Sequence, residues 1–191
     1  IGSIPANKKK ITKRVDDGVD YGKGEVVNDF TAPMQQPKVS VCRIYTGDID
    51  FNLENSVTIN FLQDILRARY TVSIREEKGG TYGVSVGGQL NALYSPNYQL
   101  LIQFDTNEAM ADELSEIVVA EFKKIATEGP KSEDVEKVRE YLIKEWNNRL
   151  VQNGAWMGYI RNYYTYGENM NRVANYENVV KNMTAEKVAA M

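Results

Sequence analysis

The chain predicts an α+β fold, a mostly antiparallel sheet with helices packed on one face. Short β-rich runs gather in the first half, and apolar stripes at helical spacing fill the second. The strand-like runs come grouped in pairs instead of alternating one by one with helices. That segregation suits an α+β layer and not a doubly wound parallel sheet. With 191 residues, 42% of them hydrophobic, the chain can bury a real core.

Taken in order, residues 1–24 are polar, with glycine at positions 18, 22 and 24, and predict a linker or lead-in segment. A single α+β domain is expected over 25–191. Glu25–Thr31 and Val39–Tyr45 are β-rich, with Pro33 and Pro37 between them, and predict a hairpin or meander. Asp48, Asp50 and Asn52 lead into a helix beginning near Leu53 or Glu54. Their alternation resembles a calcium loop, but Leu53 and Ile59 stand where the motif needs Gly and Glu, so helix capping accounts for them.

Val57, Phe61, Leu62, Ile65 and Leu66 form the stripe of that helix. Tyr70-Thr71-Val72-Ser73-Ile74 is β-branched and locally favours a strand, yet no turn residue interrupts the segment before Gly79, so helix is expected to continue. Tyr82–Gly88 and Tyr98–Asp105 predict strands, with Ser95-Pro96-Asn97 in their connection. Met110, Leu114, Ile117, Val118, Phe122 and Ile125 stripe a helix that Gly129-Pro130 ends. Ser132 is the expected N-cap of the next, striped by Val135, Val138, Leu142, Trp146 and Leu150. Helical pieces near 155–166 and 172–182 follow, and Thr184 is placed to cap a last one. The expected order is β-β-α-β-β-α-α-α-α.

Composition narrows function. A net charge of −3 argues against nucleic acid, which demands a basic face. Lys8, Lys9, Lys10, Lys13 and Arg14 cluster, but Asp16, Asp17 and Asp20 offset them at once. No apolar run reaches membrane-spanning length. The single cysteine, Cys42, cannot form an internal disulfide and reads as a small buried hydrophobe. With no histidine, an ordinary zinc site does not fit inside the chain. The sequence opens on Ile1-Gly2-Ser3 and stops at Ala189-Ala190-Met191 within an expected helix, as a fragment of a longer chain would.

The most informative stretch is 74–86. Arg75 and Tyr82 lie seven apart across the Gly79-Gly80 turn. A guanidinium fork and a phenol brought to one point could both donate to a peptide carbonyl, and more strongly to an oxyanion. Each residue also has an ordinary explanation. Arg75 would suit the last turn of a helix through its dipole, Tyr82 a half-buried strand position, and Gly79-Gly80 a helix stop. Glu76 and Glu77 diverge in direction on a helix and suit solvent beside Lys78. Trp156, Tyr159, Tyr163, Tyr164 and Tyr166, at roughly helical spacing, are expected in core or interdomain packing.

The run from helix to strand resembles the C-terminal half of the pitrilysin/insulinase family of zinc metallopeptidases. There an apolar helix ends in Leu-Arg-Glu, and a glycine turn leads to a Tyr that opens a strand. Ile74, Arg75, Glu76, Gly79, Gly80 and Tyr82 match that pattern, with Ile74 replacing the commoner leucine. Gln103-Phe104-Asp105, the helix from about 108, Gly129-Pro130 and Ser132-Glu133 continue it, so the likeness covers roughly 25–191.

The resemblance implies a metallohydrolase domain of the pitrilysin and mitochondrial processing peptidase type. It implies a non-catalytic, zinc-free domain that closes a peptide chamber and supplies Arg75 and Tyr82 to substrate or transition-state contacts, positioned by Gly79 and Gly80. Zinc would sit in the N-terminal domain of the same chain or in a partner subunit, so the fragment alone is expected to be inactive. The implied partners are a peptide substrate and that zinc-bearing domain. The alternative is a core-type structural subunit, or a zinc-free partner subunit, of the same fold. Family members occur in periplasm, cytosol and organelles, so the compartment stays open, with the periplasm a guess for a bacterial chain.

Overall fold

The computed structural model describes residues 23–92 and 96–191. The basic cluster at 8–14, most of the expected lead-in, and Ser95 lie outside the described residues. Element order is β1 (Val39–Asp48), α1 (Leu53–Tyr70), a π-helical segment (Thr71–Glu76), β2 (Val84–Asn91), β3 (Asn97–Thr106), a 3-10 turn (Glu108–Met110), α2 (Ala111–Glu128), α3 (Ser132–Leu150), α4 (Asn153–Tyr166), α5 (Asn171–Lys181) and α6 (Ala185–Ala189).

The three strands form an antiparallel sheet in the order β1-β3-β2. Val41 and Val84 both pair with Phe104, Arg43 and Val86 with Ile102, and Tyr45 and Gly88 with Leu100. With side chains alternating along each strand, these rows share one face. On that face Val84, Val86, Leu100, Ile102 and Phe104 are buried, in one core cluster with Phe61, Ile65 and Leu66 of α1, Leu114 and Val118 of α2, and Val135 and Val138 of α3. The helices cover this face, as expected.

α1 begins where the acidic run predicts: the Asn52 side chain accepts from the Asn55 N–H at 2.8 Å. Its predicted stripe is wholly buried. The ambiguous Tyr70–Ile74 run stays helical but widens into π geometry. Thr71 Oγ1 donates to Arg67 O at 2.8 Å and Ser73 Oγ to Arg69 O at 3.0 Å, so these hydroxyls compete with backbone N–H groups for the preceding carbonyls. The β-branched run thus loosens the helix without breaking it.

Four expectations are corrected. Glu25–Thr31 is not a strand; it is irregular, unpaired and exposed, with Val26, Val27 and Phe30 in solvent. Its β propensity alone does not add it to the sheet, where β1 pairs with β3 only. Cys42 is exposed because it lies on the face of β1 that helices do not cover. Ser132 is the first residue of α3 and not its cap: Lys131, extended after Pro130, accepts the Asp134 and Val135 N–H groups through its carbonyl. Tyr82 does not open β2, which starts at Val84. Thr184 caps α6 as expected, accepting from the Lys187 N–H at 3.3 Å.

Candidate functional site

The turn between the π segment and β2 is held from three directions. Gly79 has φ +60°, a left-handed conformation that glycine adopts freely, and its N–H donates to Arg75 O at 3.1 Å. The Gly80 N–H donates to Ile74 O at 3.3 Å. Gly80 itself is buried, and a Cβ there would lie 2.6 Å from Leu114 Cδ1 and 2.8 Å from Met110 Cε. Buried Thr106 Oγ1 donates to Gly80 O at 2.6 Å. Gly79 therefore answers to the backbone and Gly80 to packing against α2. Lys78 pairs with Glu113 of α2 at 2.5 Å; the hydrogen bond and then the charge of that carboxylate raise the ammonium pKa.

Beyond the turn, Thr81 Oγ1 bonds both the N–H and the carbonyl of Gly83, at 3.3 and 3.1 Å, making a tight bend ahead of β2. This bend thrusts Tyr82 fully into solvent, at 101% relative exposure. The half-buried strand position considered for Tyr82 does not apply. Arg75 is also exposed, in the last turn of the π segment. Among the described residues neither side chain makes a hydrogen bond or ion pair. Ile74 beside Arg75 is fully buried and fixes the roll of the segment.

Tyr82 stands on an open groove of about 720 Å³ at the end of β2, together with Thr81, Val84, Gln103, Asp105 and Arg67 of α1. Arg75 does not line it. Hydrogen bonds from Lys38 and then Ser40, both at 2.6 Å, hold the Asp105 carboxyl below the usual carboxylate range, so it stays ionised and paired with the Lys38 ammonium. The Arg67 guanidinium also lines the groove.

Residue spacing did not reveal Arg67 or Gln63. Arg67 Nη2 donates to Val86 O at 2.8 Å, and the Gly88 N–H donates to Gln63 Oε1 at 2.7 Å. Both backbone groups belong to β2, an edge strand. Val84 is the next position with its backbone groups toward that edge, since bonding directions alternate along a strand. Two polar side chains at i,i+4 on the border of an apolar stripe were the available signal.

The chain's own residues do not fit zinc. It has no histidine, its cysteine is single, and among the described residues no three His, Cys, Asp or Glu side chains come together for a metal. The Trp156–Tyr164 stretch divides: Tyr159 turns inward against Trp146, at 5.8 Å between ring centroids, while Trp156, Tyr163 and Tyr164 are exposed.

A family model described as the Peptidase M16 inactive domain matches residues 1–142. The chain belongs to the M16 peptidase family. It is an inactive domain of that family, as the resemblance of the 74–86 stretch implied. Among solved structures, the M16 domain is similar to the periplasmic protease PqqL from Escherichia coli (TM-score 0.71, 18% identity, covering 82% of this chain and 18% of that one). It is similar also to an M16 inactive domain from Pseudomonas fluorescens (TM-score 0.68, 19% identity, 80% and 37% covered). A protease from Helicobacter pylori gives TM-score 0.67 at 11% identity, with 80% and 37% covered. At these identities the likeness concerns the fold, and the M16 domain spans well under half the length of each of these three chains. No curated protein sequence matches the chain significantly.

Proposed function

We propose that this M16 domain is the substrate-contacting, non-catalytic wall of a peptidase chamber, with Arg75 and Tyr82 presented to the peptide. The observation that carries the reading is Tyr82: a wholly exposed phenol, free of partners among the described residues, on a bend whose base is fixed by Gly80, Thr106 and Ile74. A surface tyrosine with no task has no need of so rigid a mount. Arg75, one turn earlier, is equally uncommitted. A fixed backbone mount confines where these two donors reach, which lowers the reorganisation needed when charge develops on a carbonyl oxygen.

The substrate class is peptide, and the partner is the zinc-bearing domain, in the same polypeptide or in a second subunit. The metal belongs to that partner; this domain's part is binding, register and hydrogen-bond donation. With Val86 O and the Gly88 N–H already bonded, strand-like pairing of substrate is disfavoured at the middle of β2 and stays available at Val84, beside Tyr82.

The test uses the parent peptidase carrying Arg75→Lys, Arg75→Ala or Tyr82→Phe. Each donor is expected to contribute roughly two to three powers of ten in rate, with folding and metal content intact. Unchanged kinetics in all three variants would remove the assignment.

A further inference from the structure

A second concavity lies away from Tyr82, in the angle between α1, α3, α4 and α5. Its volume is about 220 Å³, open on one side. A buried cavity of roughly 150 Å³ already holds a benzene ring, and whole drug-sized ligands take about 300 Å³ or more, so this pocket suits one aromatic side chain. Four rings line it among polar neighbours, Phe51, Trp146, Tyr159 and Tyr176, with the Trp146 and Tyr176 rings stacked at 4.2 Å.

The charges on its rim do not balance. Arg172 is satisfied internally, by Glu168 at 3.0 Å, Ser56 Oγ at 3.1 Å and the Phe51 ring at 4.9 Å. Arg149 also lines the pocket, is exposed, and has no hydrogen bond or ion pair among the described residues. Aromatic rings beside one uncommitted guanidinium favour a ligand that joins a ring to a carboxylate.

We propose that this pocket is an anchor subsite for an aromatic residue of a peptide bearing a nearby carboxylate, the ring against Trp146 and Tyr159 and the carboxylate on Arg149. The carboxylate has two sources, the peptide's C-terminus or an adjacent acidic side chain.

The pocket and the Tyr82 groove are linked through shared lining residues. Asn60, Trp146, Arg149 and Tyr176 line both it and a neighbouring depression, which reaches Arg67, and Arg67 lines the Tyr82 groove. The floor of this path is one stripe of α1. From Ser56 to Arg67 the helix rises about 16 Å, or about five residues of extended peptide. This spacing, unlike the ligand class, rests on the proposed role of Tyr82.

The test is fluorescence titration of the 191-residue chain carrying Trp156→Phe, which leaves Trp146 as the reporter. The probes are N-acetyl-phenylalanine, its amide, N-acetyl-alanine and N-acetyl-Asp-Phe-amide. N-acetyl-phenylalanine is expected to give a saturable change, binding about tenfold more tightly than its amide, with no response to N-acetyl-alanine. Arg149→Gln should erase the acid–amide difference, and Tyr82→Phe should leave it unchanged. The dipeptide amide matching the free acid assigns the carboxylate to a side chain; matching the amide assigns it to the chain terminus. No saturable response to any probe, or equal binding of acid and amide, overturns the proposal. Either result stands apart from the kinetics of Tyr82 in the parent, so the two readings fail separately.

Discussion

Thr106→Val measures how firmly the Tyr82-bearing turn is held. Valine keeps the shape of threonine and removes the hydroxyl that donates to Gly80 O at 2.6 Å. Thr106 is 8% exposed and Gly80 is buried, so water has little access to replace the lost donor. Depriving a buried acceptor of its partner costs about 1–3 kcal/mol. For a chain of this size each kcal/mol moves the midpoint by about 2–4 °C, so thermal unfolding should fall by roughly 2–12 °C. Thr106→Ser keeps the hydroxyl and deletes a methyl worth about 0.8 kcal/mol of burial, so it should stay nearer wild type. Calorimetry or circular dichroism of the three proteins decides. A valine variant as stable as wild type, or a serine variant weaker than valine, would show that packing, not this hydrogen bond, holds the turn.

Three further outcomes are expected. Gly79→Ala should destabilise by about 1–2 kcal/mol through its positive φ, whereas Gly79→Asn should cost less because asparagine tolerates that region; denaturant midpoints compare them. Burial raises the Tyr70 phenol far above its ordinary value, and raises those of Tyr176 and Tyr45 in the same direction. The unfolded chain therefore loses these protons first, near pH ~10, so stability is complete below that pH and declines above it. Tyr70→Phe should make the decline shallower, as read from midpoints between about pH 9 and 11. Gln63→Val with Arg67→Val should uncover the β2 edge at Gly88 and Val86, giving more self-association in light scattering than wild type.

The helices were legible because burial repeats with the helical period. The α1 stripe and its Asn52 cap, the α2 and α3 stripes and the Gly129 stop stand where the residues place them. Glu25–Thr31 misled because propensity describes a residue's fit to a sheet, not the presence of a neighbouring strand. Cys42 misled for a related reason. Alternation locates two faces of a strand but does not say which one the helices cover, and β1 shows Cys42 and Ile44 to solvent. At the candidate site, the Arg-turn-Tyr spacing was visible, but its anchorage was not. Thr106 is 26 residues from Gly80, and Arg67 is 19 from Val86. Contacts of that range leave no mark in local spacing.

Those long-range contacts also bear on how this domain treats an extended chain. An unprotected edge strand would pair indiscriminately with any passing β segment, the domain's own copies included. α1 prevents this at Val86 and Gly88 by spending side chains on backbone groups, yet it leaves the Val84 end open where Tyr82 projects. The same helix floors the path from that opening toward Trp146 and Arg149. An edge with two of its central backbone groups already bonded, at Val86 and Gly88, disfavours addition of a continuous strand, so register would be set at discrete anchors. If so, uncovering the edge with Gln63→Val and Arg67→Val should broaden the peptides the parent accepts as well as promote association. Association without any change in peptide preference would mean that the seal guards solubility alone.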